Sequence, residues 1–339
     1  MLKIAIIGSG FGEYGLLPAF ALTKNCRVTS ICAKKSERLL KLCKQFKVNK
    51  IYANWQAMLE QEEIDAIAIA VIPEAQYKIA KYAIKKGLNV FAEKPLAVSV
   101  KQASELSKLA KKYKVVTAVD FIFPEIPEWI KVKELLTRKT YGKLLSISAS
   151  WDFLSYDIRN GISSWKTDSS RGGGALAFYF SHVLYYLEFF AGQISLVKSL
   201  LTYSKKSKNG GEVGVDLLFR TKNGVNGNAR LNCNASGIKR HSLIFICERG
   251  TLVLENTKNV VKDFNLSIHE NHKSFSFKVK KKDVPKNFDE RVGAVKRIAQ
   301  RFVSGCLENR QIQPSMEEGL RVQKLIQEIK KNARIKVSL

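Results

Sequence analysis

Through the first 120 residues, short runs of consecutive apolar positions alternate with stretches in which apolar residues recur every third or fourth position. The runs Leu2 to Gly8, Arg27 to Ala33, Ile64 to Val71, Leu88 to Ala92 and Val115 to Val119 predict strands buried on both faces, as in a parallel sheet. Between them, Leu16 to Lys24, Ser36 to Phe46, Trp55 to Gln61, Glu74 to Lys86 and Ser99 to Lys112 carry helical periodicity, with Ser36 and Ser99 as N-caps. Strand and helix in strict alternation, joined by right-handed crossovers, predict an α/β doubly wound parallel sheet.

After residue 120 the rhythm changes. A helical pattern at Ile126 to Thr137 precedes a strand at Lys143 to Trp151, a polar loop, and a helix from about Ala175 to Phe190. Strand patterns then dominate: Ser195 to Tyr203, Val213 to Arg220, Gly227 to Cys233, Ser242 to Cys247, Gly250 to Glu255, Leu266 to His269 and Ser274 to Val279, separated by Asn-Gly, Gly-Gly and Lys runs. Two helices, roughly Phe288 to Leu307 and Ser315 to Lys331, close the chain. The expected organisation is a domain at 1–120 and an α+β domain at 121–339 with a large open, mostly antiparallel sheet. The terminal helices are placed to pack back on the first domain. No linker, low-complexity segment or repeat separates them.

Composition is that of a folded chain: 45% hydrophobic and 26% charged. The charge is unusual, with 57 Lys and Arg against 30 Asp and Glu, a formal +27. Its runs, Lys101 to Lys114, Lys205 to Lys208 and Lys278 to Lys282, are lysine-rich and flank periodic segments, as solvated helix faces and strand ends do. No Arg-and-aromatic reading surface accompanies them, so no specific nucleic-acid partner is expected. The six cysteines form no C-x-x-C pair and have no histidine at metal-ligand spacing, which predicts reduced core thiols and no metal. No apolar run reaches the roughly 18 residues of a membrane span, and no signal peptide is evident. The expected setting is the cytoplasm.

The turn after the first strand reads Gly8-Ser9-Gly10-Phe11-Gly12-Glu13-Tyr14-Gly15 and opens a helix. A dinucleotide site needs one glycine for the tight turn and another where the backbone approaches the pyrophosphate, which Gly8 and Gly10 supply. The third glycine of G-x-G-x-x-G would fall at Glu13, where the chain has Gly12 one residue earlier. Gly8, Ser9, Gly10, Phe11 and Gly12 are therefore the expected cofactor cradle. The second strand ends in Cys32-Ala33-Lys34-Lys35, without the acid that binds the ribose hydroxyls of NAD. Two lysines suit a 2'-phosphate, so NADP is the expected preference over NAD.

At Phe91-Ala92-Glu93-Lys94-Pro95-Leu96 a strand ends in Glu-Lys-Pro. With the Gly8 turn, Pro73, the segment Gly172-Gly173-Gly174-Ala175-Leu176, His182 and the closing Glu317-Glu318-Gly319-Leu320-Arg321, the chain resembles the Gfo/Idh/MocA oxidoreductases along essentially its full length. The resemblance implies a Rossmann domain followed by a substrate and oligomerisation domain. It implies that Lys94 sits beside the nicotinamide and contacts the substrate hydroxyl, with Glu93 and Pro73 at the cofactor, and that His182 exchanges a proton. Physics agrees on Lys94: a cation at the carboxyl end of a parallel strand can stabilise an alkoxide.

The histidine segment departs from the family, which commonly has acids at the positions of Phe178 and Tyr185. The helical spacing surrounds His182 with Phe178, Tyr179, Tyr185 and Tyr186. Three readings stay open: His182 works alone, a tyrosine shares the proton path, or the site binds without turnover, as in a regulator or scaffold of the same fold. Packing remains the simpler role for most of these aromatics. Substrate contacts are expected from Asp152, Arg159, Trp165, Lys166 and Tyr179, the loop cations being suited to a phosphate or carboxylate. The expected substrate is a carbohydrate or nucleotide sugar. The open sheet predicts a homodimer or homotetramer.

Overall fold

The computed structural model describes residues 1–277 and 287–333, together with the backbone of 336–338. The chain divides into two compact units. One comprises Met1–Ile122 and Asp283–Gln323, the other Phe123–Lys282 and Lys324–Leu339.

In the first unit, strand β1 is Leu2–Ile7, α1 Leu17–Ala21, β2 Cys26–Cys32, α2 Glu37–Phe46, β3 Lys50–Tyr52, α3 Trp55–Gln61, β4 Ala66–Ile69, α4 Pro73–Lys85, β5 Asn89–Ala92, α5 Val100–Tyr113 and β6 Thr117–Val119. The six strands lie in the order β3-β2-β1-β4-β5-β6, all parallel, so the chain reverses direction across the sheet between β1 and β4. Ser36 and Ser99 cap α2 and α5, their hydroxyls accepting the Leu39 and Gln102 N–H groups at 3.1 and 3.3 Å. The first helix differs from expectation. A π turn at Gly12–Leu16 precedes α1, so the helical path starts earlier than Leu16. The three-residue edge strand β3 has no counterpart in the apolar pattern, being too short to show a period. Phe20, Phe91 and Phe302 meet edge to face in the core of this unit, the last contributed by the long helix Val292–Leu307. Each such ring removes about 150–250 Å² from water.

In the second unit, α6 is Pro127–Thr137, β7 Leu144–Asp152, α7 Tyr156–Arg159, α8 Phe180–Ala191, β8 Ile194–Tyr203, β9 Gly214–Thr221, β10 Asn226–Asn232, β11 Arg240–Cys247, β12 Thr251–Asn256, β13 Asn265–Glu270 and β14 Lys273–Phe277. Helix α9, Val292–Leu307, belongs to the first unit, and α10 is Met316–Asn332. A short strand β15, Lys336–Ser338, completes the sheet order β14-β13-β12-β11-β7-β10-β9-β8-β15. This sheet is mostly antiparallel, with parallel pairs at β7/β10 and β8/β15. Residues 278–279 of the expected strand, and the run Lys278 to Lys282, lie outside the described residues.

Alternation along β7 sends Ile147, Ala149 and Trp151 into the core beneath α8. There Trp129, Tyr186, Phe123, Trp151 and Phe264 enclose His241, whose ring stacks on Trp151 at 4.7 Å. The Tyr186 hydroxyl lies 3.2 Å from His241 Nε2, and burial pushes the pKa of His241 down to about 3. This histidine is therefore a neutral packing residue. The opposite face of the sheet exposes Leu196, Leu218 and Ile246.

All six cysteines carry free thiols, and burial pushes Cys26, Cys233 and Cys306 up to about 12, keeping them protonated. Among the described residues, no helix is long and apolar enough to cross a membrane, and no group of three or more His, Cys, Asp or Glu is placed to hold a metal.

Candidate active site

The glycine turn is built around a close crossing of β1 and β4. Gly8 has φ +140°, and a Cβ there would lie 2.2 Å from the Ala70 carbonyl oxygen, so no side chain fits. Gly10 is the opposite case: a Cβ there meets nothing within 4 Å. The turn folds back through the Glu13 and Tyr14 N–H groups, both donated to the Gly10 carbonyl at 2.9 and 3.3 Å. The backbone at Gly10 thus faces open space directly after a parallel strand and before a helical segment, a cradle of the kind a pyrophosphate requires. Gly10→Val is expected to preserve the melting temperature while weakening NADP binding. Crowding the phosphates costs about 1–3 kcal/mol, or roughly 5- to 150-fold in Kd. Calorimetric titration reads it, and unchanged affinity would remove the turn from the cofactor site.

Ser9 accepts the Lys34 N–H on its hydroxyl at 2.8 Å, tying the glycine turn to the end of β2. Lys34 and Lys35 are exposed there. Glu13, in place of the expected third glycine, is buried and does structural work within the turn. Its carboxylate accepts from Arg38 Nε at 2.7 Å and from the Ser36 hydroxyl at 3.2 Å. Arg38 in turn lies over the Tyr14 ring, 5.1 Å from its centre. Phe11 packs edge-on against Tyr14, and the Arg291 guanidinium covers the Phe11 ring at 4.4 Å.

Pro73 begins α4 and is buried. From the next turn, Gln76 donates to the carbonyls of Glu93, Pro95 and Leu96 at 2.6, 3.2 and 3.2 Å, fixing the backbone on both sides of Lys94. The Glu93 side chain accepts the Lys94 N–H at 3.1 Å. Lys94 lies two residues beyond the carboxyl end of β5, after Glu93. Asp120, at the end of the neighbouring β6, is buried beside it. Burial first, and then the Glu93 charge, pushes its carboxyl well above the usual range, with Lys94 and Arg291 pulling the other way.

In the second unit, a π turn at Ala175–Tyr179 leads into α8 and shifts the expected facing of residues across the 179/180 junction. His182 is buried, its ring edge-on to Phe123 at 5.1 Å. Phe178 meets Trp165 at 5.2 Å and Tyr179 at 4.6 Å, while Lys166 lies 5.6 Å over the Phe178 ring. The loop residues Trp165 and Lys166 are thereby docked on the start of the histidine helix. Tyr179 is wedged against Trp151 and Phe153, and burial raises its pKa, so the phenol stays protonated at neutral pH.

Asp152 and Arg159, the two remaining expected contacts, have partners of their own. Strand β7 runs one residue beyond Trp151, and alternation turns Asp152 to the opposite face from Trp151. There it accepts from the Ser150 hydroxyl at 2.9 Å and lies 3.8 Å from Arg230. Arg159 lines a cavity of about 290 Å³ with Lys206 and Lys208, a cationic pocket of the second unit.

Comparison with known proteins shows the family. The profile of an oxidoreductase family with an NAD-binding Rossmann fold matches residues 2–121, and the C-terminal domain of the same family matches residues 129–253. The chain belongs to the Gfo/Idh/MocA oxidoreductase family. It is 28% identical over 341 residues to an uncharacterized oxidoreductase of Synechocystis sp., covering 96% of this chain and 92% of that protein. It is 27% identical over 236 residues to an oxidoreductase of Formosa agariphila, covering 68% and 72% of the two. Among solved structures, a levoglucosan dehydrogenase in complex with NADH and L-sorbose superposes with a TM-score of 0.85 at 19% identity, covering 98% of this chain and 96% of that one. A 3-ketoreductase from Actinomadura kijaniata, in complex with NADP and TDP-benzene, gives 0.81 at 20% identity and covers 100% and 99%.

Within this family frame, three charged residues escaped the sequence reading: Glu13, Asp120 and Arg291. Glu13 was legible only as a missing glycine, although an acid there and Arg38 on the next helix are the complementary pair that its burial requires. Asp120 directly follows β6, next in the sheet to β5 and its Glu93. Adjacent parallel strands both ending in acids was the available signal.

Proposed function

We propose that this family member is an NADP-preferring oxidoreductase that interconverts a secondary alcohol and a ketone on a sugar, sugar derivative or nucleotide sugar. The observation that carries the reading is Glu93-Lys94-Pro95 at the carboxyl end of β5, in a domain whose glycine turn is open at Gly10. Levoglucosan dehydrogenase and the 3-ketoreductase, both matched over nearly their full length, support a carbohydrate substrate.

The nicotinamide group supplies hydride exchange at carbon when bound. The chain's own residues do the rest. The turn from Gly8 to Gly12 holds the pyrophosphate, and Lys34 and Lys35 receive the 2'-phosphate. Lys94 stabilises negative charge developing on the substrate oxygen. His182 exchanges the hydroxyl proton, and Trp165 and Lys166, which pack on Phe178 ahead of the histidine helix, contact the substrate. Tyr179 serves as packing for that helix, since a buried phenol with a raised pKa stays protonated and gives up its proton reluctantly. The residues Phe178 and Tyr185, standing where relatives carry acids, favour a second reading: a regulator that binds NADP without turnover.

Separate titrations with NADP and NAD test the preference. NADP is expected to bind tighter, and the Lys34→Ala/Lys35→Ala double variant to lose about tenfold in NADP affinity, roughly 1.4 kcal/mol, with NAD affinity unchanged. Equal or tighter binding of NAD by the unaltered protein defeats it. We further propose association of copies through the sheet face that exposes Leu196, Leu218 and Ile246.

A further inference from the structure

Strands β5 and β6 end side by side. Ala92 pairs with Val119, and the Asp120 N–H donates to the Ala92 carbonyl at 2.9 Å, so the next residue on each strand, Glu93 and Asp120, stand together at the carboxyl edge of the sheet. Asp120 is 1% exposed. No N–H or O–H of the described residues reaches either of its carboxylate oxygens. The group within hydrogen-bonding reach is the Glu93 carboxyl, which has nothing to donate while ionised.

Two adjoining carboxylates, one sealed from water, are unstable as two full charges. Repulsion and desolvation act together, and a proton between them removes both costs while making the hydrogen bond that the geometry otherwise lacks. The charged groups that bear on Asp120 are Glu93, Lys94 and Arg291. Arg291 is already engaged by Asp289, through Nε at 2.8 Å and Nη2 at 2.9 Å. Lys94 is the cation next to the pair in sequence, its N–H donated to Glu93.

We propose that Glu93 and Asp120 share one proton at neutral pH, and that Asp120 is a positioning residue for Lys94. The pair then carries a single negative charge, which matches the single ammonium. Two ionised carboxylates would attract the Lys94 ammonium more strongly, and two neutral ones less. The positioning role rests on the reading of Lys94 as the residue that stabilises the substrate oxygen. The shared proton stands on the strand register, on the burial of Asp120 and on its two carboxylate oxygens that no donor of the described residues reaches.

The folded protein keeps a proton that the unfolded chain releases above the ordinary aspartate pKa of about 3.9. The unfolded state therefore binds fewer protons across this window, and stability falls as pH rises through it. Asp120→Asn cannot titrate, and its amide N–H donates to Glu93 in place of the shared proton. Its melting temperature relative to the unaltered protein is expected to rise as the pH increases above about 4. Infrared spectra of the full chain in D2O at neutral pD are expected to show a protonated-carboxyl C=O band that Asp120→Asn loses. Absence of the band, its survival in Asp120→Asn, or parallel melting curves across the pH range would each overturn the shared proton. For the positioning role, Asp120→Asn is expected to retain the pH profile of kcat that Asp120→Ala alters, and equal profiles for the two variants would overturn it. A Lys94→Ala enzyme with full turnover and an unchanged infrared band would instead defeat the reading of Lys94.

Discussion

Lys94→Ala is expected to lower kcat with a carbohydrate substrate by about 100- to 1000-fold, the usual cost of removing one donor aimed at a developing oxyanion. Affinity for NADP should stay within about twofold, a shift below the 1.4 kcal/mol of a tenfold change. The contrast follows from where the ammonium acts. A ground-state hydroxyl or ketone oxygen carries little charge, whereas the transition state of hydride transfer places negative charge there, so the interaction belongs mainly to the transition state. The backbone on either side of Lys94 is held by Gln76 and by the Glu93 side chain, so truncating the lysine leaves the turn in place. Steady-state kinetics with a matched NADP titration separate the two effects. A fall in NADP affinity as large as the fall in kcat would make Lys94 a cofactor ligand only.

His182→Ala is expected to cost about 100-fold in kcat, at the low end of general acid-base catalysis, which spans about 100- to 10,000-fold. An imidazole held by a carboxylate has a fixed tautomer and a raised basicity. The positions expected to carry that acid hold Phe178, in the π turn before the helix, and Tyr185 on it, and the ring shown packed on His182 is Phe123. With no acid at those two positions, the histidine is expected to contribute less to the proton step than it would with one. Introducing the acid, as Phe178→Asp in the unaltered protein, is not a clean comparison, because Phe178 also packs on Trp165. The pH dependence of kcat in the His182→Ala variant is the better readout: loss of its acid limb assigns the proton to His182, and an unchanged profile assigns it elsewhere.

Much of this arrangement was legible in the chain. Buried parallel strands announce themselves as unbroken apolar runs, and Ser36 and Ser99 marked their helix starts because a serine ahead of a periodic segment has one common use. The bounds of α3 match the pattern residue for residue. What stayed hidden depends on three-dimensional adjacency or on small departures from regular geometry. Neither π turn has a sequence period of its own, so the segments before α1 and α8 read as ordinary helix. Asp152 read as a loop residue because the apolar alternation of β7 closes at Trp151, and one further residue of strand sends its side chain to the other face. Glu13 and Asp120 are charged residues buried by neighbours distant in sequence, Arg38 and Glu93 respectively. No local pattern signals such burial.

The central claim, that the Gly8 turn and Lys94 serve hydride transfer between NADP and a carbohydrate carbon, is tested most directly with NADPH deuterated at nicotinamide C4. The full-length protein is incubated with a panel of keto-sugars, including nucleotide-linked ones, and the products are read by mass spectrometry. Deuterium transferred to the carbinol carbon of at least one product, and lost in Lys94→Ala, is the predicted result. Tight NADPH binding with no deuterium in any product would contradict the claim and leave a nucleotide-binding regulator in its place.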